Sequence, residues 1–216
     1  MVDWLRQRNQ GEADPDRQLW REPPPEMENR SPLAELGGLD VVRVLPPSRR
    51  FDWPGWWKVH HQNRWRVACL AYEPSGLVSS IHARSVIDDG RESKTRWPSA
   101  GPGSASGLIL AGAHGAAWLR GRTEHRILWI LEGITDLIAA ELVCLREGLT
   151  EIVCLSGAAG GFGSFGLIGH LSRLDSVYVR TDDDEAGNRY AEKLAQVIPR
   201  EVRMYRLPWD EGGHDG

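Results

Sequence analysis

The second half of the chain alternates short apolar runs with longer segments of helical spacing. ILWIL (127–131), EIVCL (151–155), SVYVRT (176–181) and VRMYRL (202–207) have the length and composition of strands. Between the first two lies ITDLIAAELVCLREG. There Leu137, Ile138, Leu142, Val143 and Leu145 fall near helical spacing, and Gly148 supplies a stop. EAGNRYAEKLAQVI predicts another helix, ending before Pro199, and FGLIGHLSRL a short one, with SGAAGGFGS ahead of it as a loop. Strand alternating with helix predicts an α/β fold: a parallel sheet with helices on both faces.

The middle of the chain follows a different pattern. RVACLAYE (66–73) and LVSSIHARSV (77–86) read as strands, and EPSG between them has turn chemistry, so an antiparallel hairpin is expected. IDDGRESKTRWPSAGPGSASG (87–107) is a polar, glycine-rich loop, and LILAGAHGAAWLRG passes from a strand into a short helix or turn. In FDWPGWWKVHHQNRWR (51–66), four of the ten tryptophans stand among Lys58, Arg64 and Arg66. Such interleaving suits base stacking, although packing of a small sheet accounts for it more simply. Residues 1–48 are polar and broken by EPPPE and LPPSRR, which predicts a flexible segment with one short helix around Pro32–Leu36. The expected organisation is therefore 1–48 flexible, 49–125 a small basic β-rich (α+β) subdomain, and 126–216 the parallel α/β domain.

Composition adds limits. With 41% hydrophobic and 26% charged residues this is an ordinary globular composition. No run of about 18 apolar residues and no charged-then-apolar leader is present, so a cytoplasmic protein without a membrane partner is expected. Cys69, Cys144 and Cys154 lack CxxC spacing, and buried, reduced cysteines are expected rather than a zinc module. Charge is segregated: 1–42 carry net −4, 43–126 net +7 and 127–216 net −7. A basic middle joined to an acidic end suggests a polyanion surface beside a cation site.

The acids sharpen that picture. Glu132 follows the first strand directly, and Asp136 stands in the next helical turn. Asp182, Asp183 and Asp184 follow the third strand, and Asp215 comes after the fourth. Carboxylates gathered at one sheet edge repel unless a cation neutralises them, and hard oxygen donors suit Mg2+ or Mn2+. In the D-x-D pattern Asp182 and Asp184 share a side of the extended chain, so they are the expected ligands, with Asp183 turned away. Helix capping accounts for one or two of these acids, but not for all of them nor for Glu132. The glycines of SGAAGGFGS match no phosphate-binding fingerprint, and His60, His61 and His170 have no ligand spacing with the acids.

LWILEGITDLIAA, followed about 50 residues later by VYVRTDDDEAGNRYAEKL, resembles a Toprim domain, the fold shared by bacterial-type primases, topoisomerases, certain nucleases and recombination-repair proteins. Glu132–Gly133 match its glutamate-glycine, and Asp182, Asp184, Ala186 and Gly187 its D-x-D with following alanine-glycine. Asp136 matches an extra acid that primases carry. RVACLAYEPSGLVSSIHARSV resembles the strand-turn-strand ahead of that domain in bacterial, phage and plasmid primases, with Arg84 at the basic strand end and Lys94 as the loop lysine. The resemblance implies a nucleotidyltransferase: a primase-like, DNA-dependent RNA polymerase core, akin to those of mobile elements. Glu132, Asp136, Asp182 and Asp184, with Asp215, would hold Mg2+ or Mn2+ for two-metal phosphoryl transfer. Arg84, Lys94 and Arg96 would hold phosphates of a single-stranded DNA template or of nucleotides. The zinc-binding template reader that normally precedes primases has no counterpart in this sequence: either another chain supplies it, with a separate zinc domain or a helicase as partner, or this is an excised catalytic core, or the protein is not a full primase. Two alternatives share the same acids: a Toprim endonuclease that turns them on water, and a non-catalytic nucleic-acid-binding subunit.

Overall fold

The computed structural model describes residues 41–44, 64–85, 95–97, 107–158 and 161–207. The expected helix at Pro32–Leu36, most of the tryptophan-rich segment, Lys94 and Asp215 lie outside the described residues.

Among the described residues, nine strands form one sheet. In chain order they are β1 (Arg43–Val44), β2 (Trp65–Tyr72), β3 (Val78–Ser85), β4 (Thr95–Arg96), β5 (Ile109–Ala111), β6 (Ile127–Leu131), β7 (Ile152–Gly157), β8 (Ser176–Arg180) and β9 (Arg203–Arg206). The spatial order is β4-β3-β2-β5-β7-β6-β8-β9, with β1 also on β2. The strands from β7 through β6 and β8 to β9 run parallel, as strand–helix alternation predicts. The other pairs are antiparallel, including the expected β2–β3 hairpin, whose turn closes at Gly76 with φ +79°. β5 joins the two halves: it pairs with β2 at Ala71↔Leu110 and with β7 at Leu110↔Ser156. The expected boundary at residue 125 thus falls in a loop, while the sheet continues across it.

Among the described residues, three α-helices complete the layers: α1 (Ala113–Leu119), α2 (Ile134–Glu147) and α3 (Glu185–Val197). Strand alternation sends neighbouring residues to opposite faces. Leu128, Ile130, Val153, Leu155, Val177 and Val179 pack with Trp118, Phe162, Phe165 and Leu194 on one face, beneath α1, α3 and the 3₁₀ turns. Leu131, Ile152 and Cys154 pack with Ile134, Leu137, Ala140 and Cys144 of α2 on the other. All three cysteines are buried and in no disulfide, with the Cys144 and Cys154 sulfurs 3.7 Å apart. Among the described residues no helix is long and apolar enough to cross a membrane.

Three local expectations need correction. Val143 (43% exposed) and Leu145 (60%) face solvent, because α2 buries the Ile134–Leu137–Ala140–Cys144 stripe instead. The expected short helix in FGLIGHLSRL is two 3₁₀ pieces, Gly161–Leu167 and Leu171–Arg173. Its glycines favour no α-helix, and the backbone at Gly161 approaches that of Gly107 so closely that a Cβ would lie 2.9 Å from it. Ser156 and Gly157, expected in a loop, extend β7, since β5 offers them partners from outside the local sequence. Gly148 does end α2, in the left-handed conformation at φ +66°, donating to the Cys144 carbonyl.

Leu155 is fully buried between β6 and β5 partners, with Gly115 of α1 against it. Leu155→Ala is expected to cost about 3 kcal/mol through lost burial and the cavity left behind, read as a lower urea midpoint at unchanged m-value.

Candidate active site

The carboxyl ends of β6 and β8 lie side by side, with Leu131 paired to Arg180, so the residues that follow each strand meet at one sheet edge. Glu132 leaves β6 there, and its Oε2 accepts a 2.6 Å hydrogen bond from the backbone N–H of Asp182. Asp136, in the first turn of α2, overhangs the same edge. Asp184 caps α3, with Oδ1 accepting from the Gly187 N–H at 2.7 Å. The cap holds one oxygen of that carboxylate; a carboxylate has further acceptor sites on the other.

Gly187 is required by this geometry. A Cβ there would collide with the carbonyl oxygen of Asp182 and lie 2.8 Å from its carbon. The start of α3 is therefore pressed against the backbone of the first aspartate. From β9, Arg206 donates to that same Asp182 carbonyl at 3.2 Å and also bonds Asn188 of α3. Asp182 is thus fixed at its N–H by Glu132 and at its C=O by Arg206, beside exposed Asp183 and Asp184.

The electrostatics show which groups sense one another. Burial pushes the Glu132 carboxyl above its ordinary range; the Asp182 N–H bond opposes this, and the charges of Asp182, Asp184 and Asp136 add to it. Burial likewise raises Asp136, with Asp182 adding to the rise, while the Gly133 N–H, Arg180 and Arg84 hold it down. Four carboxylates expected from the sequence therefore form one interacting set. Among the described residues, no three acidic, histidine or cysteine side chains converge closely enough to hold a metal ion as they stand.

Arg84 belongs to this edge through the sheet. It pairs with Val67, whose side chain lies in the cluster under α2, so Arg84 faces the α2 side and acts on Asp136. The Arg96 backbone sits one strand further out, opposite Ala83. Two arginines not singled out from sequence also stand here, Arg180 and Arg206. Arg180 was legible as the last residue of the strand before the aspartates, on the Leu131 side of the pleat. Arg206 acts across 24 residues on a backbone carbonyl, which no local pattern reveals. Near Arg84, His82 is buried against Trp97 with ring centroids 4.6 Å apart, and burial followed by Arg84 lowers its pKa to about 4. His82 is thus a neutral packing group. His170 likewise sits away from the acids, edge-on to Trp118.

No protein-family model matches the chain, and no curated protein matches it. Solved structures do. The chain is similar to the zinc-binding and RNA polymerase domains of the Aquifex aeolicus primase, at 16% identity over 77% of this chain and 39% of that one, with a TM-score of 0.46. The primase fragment of the bacteriophage T7 primase-helicase protein matches at 18% identity over 66% and 54%, with a TM-score of 0.44. A DNA primase domain from Pseudomonas aeruginosa matches at 16% over 69% and 45%, with a TM-score of 0.48. The chain spans 39% to 54% of the length of these three structures.

The crowding at Gly187 and the raised acids can each be measured. Gly187→Ala is expected to lower stability by roughly 1–3 kcal/mol, because backbone and not a flexible side chain must give way; urea unfolding measures it. The raised acids bear on pH. With folded-state pKa values raised, the folded chain binds more protons than the unfolded one between the ordinary and the raised values. The stability contributed by Glu132 and Asp136 therefore falls as pH rises through that window. Glu132→Gln and Asp136→Asn should raise the thermal midpoint at neutral pH, and the gain should vanish below the ordinary carboxylate range. Thermal melts across pH provide the check.

Proposed function

We propose that the chain is the RNA-polymerase core of a primase-like protein, a Toprim-type nucleotidyltransferase that joins ribonucleotides along single-stranded DNA. The observation that supports this most directly is the set Glu132, Asp136, Asp182 and Asp184 at the carboxyl ends of adjacent parallel strands, with Arg84 of the hairpin within electrostatic reach of Asp136. An acid cluster alone serves synthesis and cleavage alike. The basic arm built into the same sheet favours an enzyme that must hold a template or nucleotide beside the acids.

The donor set fits Mg2+ or Mn2+: every candidate ligand is a hard carboxylate oxygen, and a divalent cation would relieve both the burial and the like charges that push Glu132 and Asp136 upward. Glu132, Asp136, Asp182 and Asp184 would hold it, with Asp215 as a further candidate. Bound there, the cation would activate a 3′ hydroxyl and stabilise the leaving pyrophosphate. The chain's own residues do the positioning. Glu132 fixes the Asp182 backbone, Arg206 fixes it from the opposite side, and the Asp184 cap sets the start of α3 against that backbone. Arg84 is assigned to a template or nucleotide phosphate, and Lys94 and Arg96 to the same track. Base pairing, rather than protein contact, would set sequence. Template reading would come from a separate zinc domain or a helicase partner.

Incubation with single-stranded DNA, Mg2+ or Mn2+ and labelled ribonucleotides, with the DNA followed in the same tube, tests the reading. Short new RNA over intact DNA is expected. DNA cleavage without synthesis would make the protein a nuclease, and binding without either product a non-catalytic subunit. Asp182→Ala should reduce synthesis by roughly a hundredfold or more with thermal stability no lower than wild type. Arg84→Ala should weaken DNA binding and flatten its salt dependence by about 0.7 in log–log slope, measured by anisotropy from low to high salt.

A further inference from the structure

Among the described residues, the face of the sheet that carries α2 is only partly covered. α2 packs over β7, β5 and β6. Among the described residues, the cluster beneath it takes no side chain from β8 or β9. On that uncovered part the register places three aromatic residues in a row across three strands: Trp129 of β6 opposite Tyr178 of β8, and Tyr178 opposite Tyr205 of β9. Trp129 is partly buried against the α2 cluster. The Tyr178 and Tyr205 rings are stacked, with centroids 5.2 Å apart and planes 21° from parallel. Their separation is close to the spacing of neighbouring strands, about 4.8 Å, so the two rings stand side by side along the strand-to-strand direction. Tyr205 is 43% exposed on the last strand of the sheet order, and its outer face has no strand beyond it among the described residues.

Cations flank this row along the strand direction. One pleat repeat toward the acid edge, about 6.6 Å along the strand, is Arg180 on the same face. One repeat the other way is exposed Arg203, whose Nε donates to the Asp175 carbonyl at 3.4 Å. These are two of the eight basic residues in a segment of net charge −7, and they bracket the Tyr178–Tyr205 stack. An aliphatic protein partner would not need a guanidinium on each side of an aromatic stack. A single nucleic-acid strand does, because each nucleotide brings a flat base and an anionic phosphate.

We propose that Tyr178 and Tyr205 form a stacking platform for single-stranded nucleic acid, in which a base continues the ring stack on the open face of Tyr205 and the neighbouring phosphates meet Arg203 and Arg180. The proposal rests on the polymerase reading, since it supplies the path by which a strand crosses the sheet face to Asp136 and Asp182. Arg180 is the link: it lies on the platform's face and acts on Asp136 at the acid edge.

The test is binding of a fluorescent oligothymidylate to the full chain, followed by anisotropy without divalent cation, with photocross-linking by 5-iodouracil in the same sequence. Tyr205→Ala is expected to weaken binding about fivefold or more, and Tyr205→Phe, which keeps the ring, to bind as wild type. Arg203→Ala should lower the salt slope by about 0.7. Cross-links are expected on Tyr205 or Tyr178. Wild-type affinity in Tyr205→Ala, or cross-links confined to residues 64–85, overturns the platform; the polymerase reading then still stands or falls on primer synthesis alone. Tyr205-dependent binding in a chain that makes no RNA would sink the polymerase reading and keep the platform. A dimer in sedimentation that Tyr205→Ala dissolves would make this face a protein interface and overturn the proposal.

Discussion

Like charges at one edge are the constraint around which this chain is arranged. Burial raises the cost of ionising Glu132 and Asp136, and like charges add to it: Asp182, Asp184 and Asp136 on Glu132, and Asp182 on Asp136. The fold does not spread them apart. It holds them with backbone bonds: Glu132 on the Asp182 N–H, Asp184 on the Gly187 N–H, Arg206 on the Asp182 carbonyl. A carboxylate that accepts from backbone N–H groups is partly compensated where it stands. Local stability is given up for a fixed arrangement of oxygens, a relation that would be expected if this edge is the functional site.

Much of this was legible in the chain, for physical reasons that differ by element. ILWIL became β6 with unchanged bounds, because a fully apolar run followed by Glu-Gly has few other fates. The α3 helix and its acidic start could be read because capping is local: Asp184 and Gly187 are three residues apart. The face of α2 was harder. Apolar Val143 and Leu145 suggested a broader stripe than the sheet has room for, and which side is buried depends on β5 and β7, which pair outside the local sequence. The same non-local pairing hid the true end of β7. Within the site, the sequence located Glu132, Asp136, Asp182 and Asp184 near one edge but could not show that Asp184 is the residue that caps α3.

The antiparallel arm matters as much as the parallel strands. By pairing with both β2 and β7, β5 makes the hairpin a continuation of the acid-bearing sheet rather than a separate body. A cation on β3 then keeps a fixed relation to a carboxylate on α2, without a flexible linker between them. This rigidity is what lets Arg84 influence Asp136 from the far side of β5 in the sheet order. Register fixes where the Arg84 backbone stands relative to the acids, which under the proposed reading would suit a phosphate contact beside them.

Arginines from opposite ends of the sheet order therefore frame one set of acids. Arg84 comes from the hairpin side, and Arg180 and Arg206 come from the β8–β9 side. They act differently. Arg206 is committed to a carbonyl and an amide and fixes the backbone. Arg84 and Arg180 both lower the pKa of Asp136, opposing its burial and the charge of Asp182. Bringing in a polyanion would draw on those two guanidinium groups and weaken their hold on Asp136. The carboxylate would then be harder to keep ionised unless a divalent cation arrived with the anion. Under the proposed polymerase reading, nucleotide and metal would then be coupled through one side chain, each favouring the other's binding by the reciprocity that any such linkage obeys.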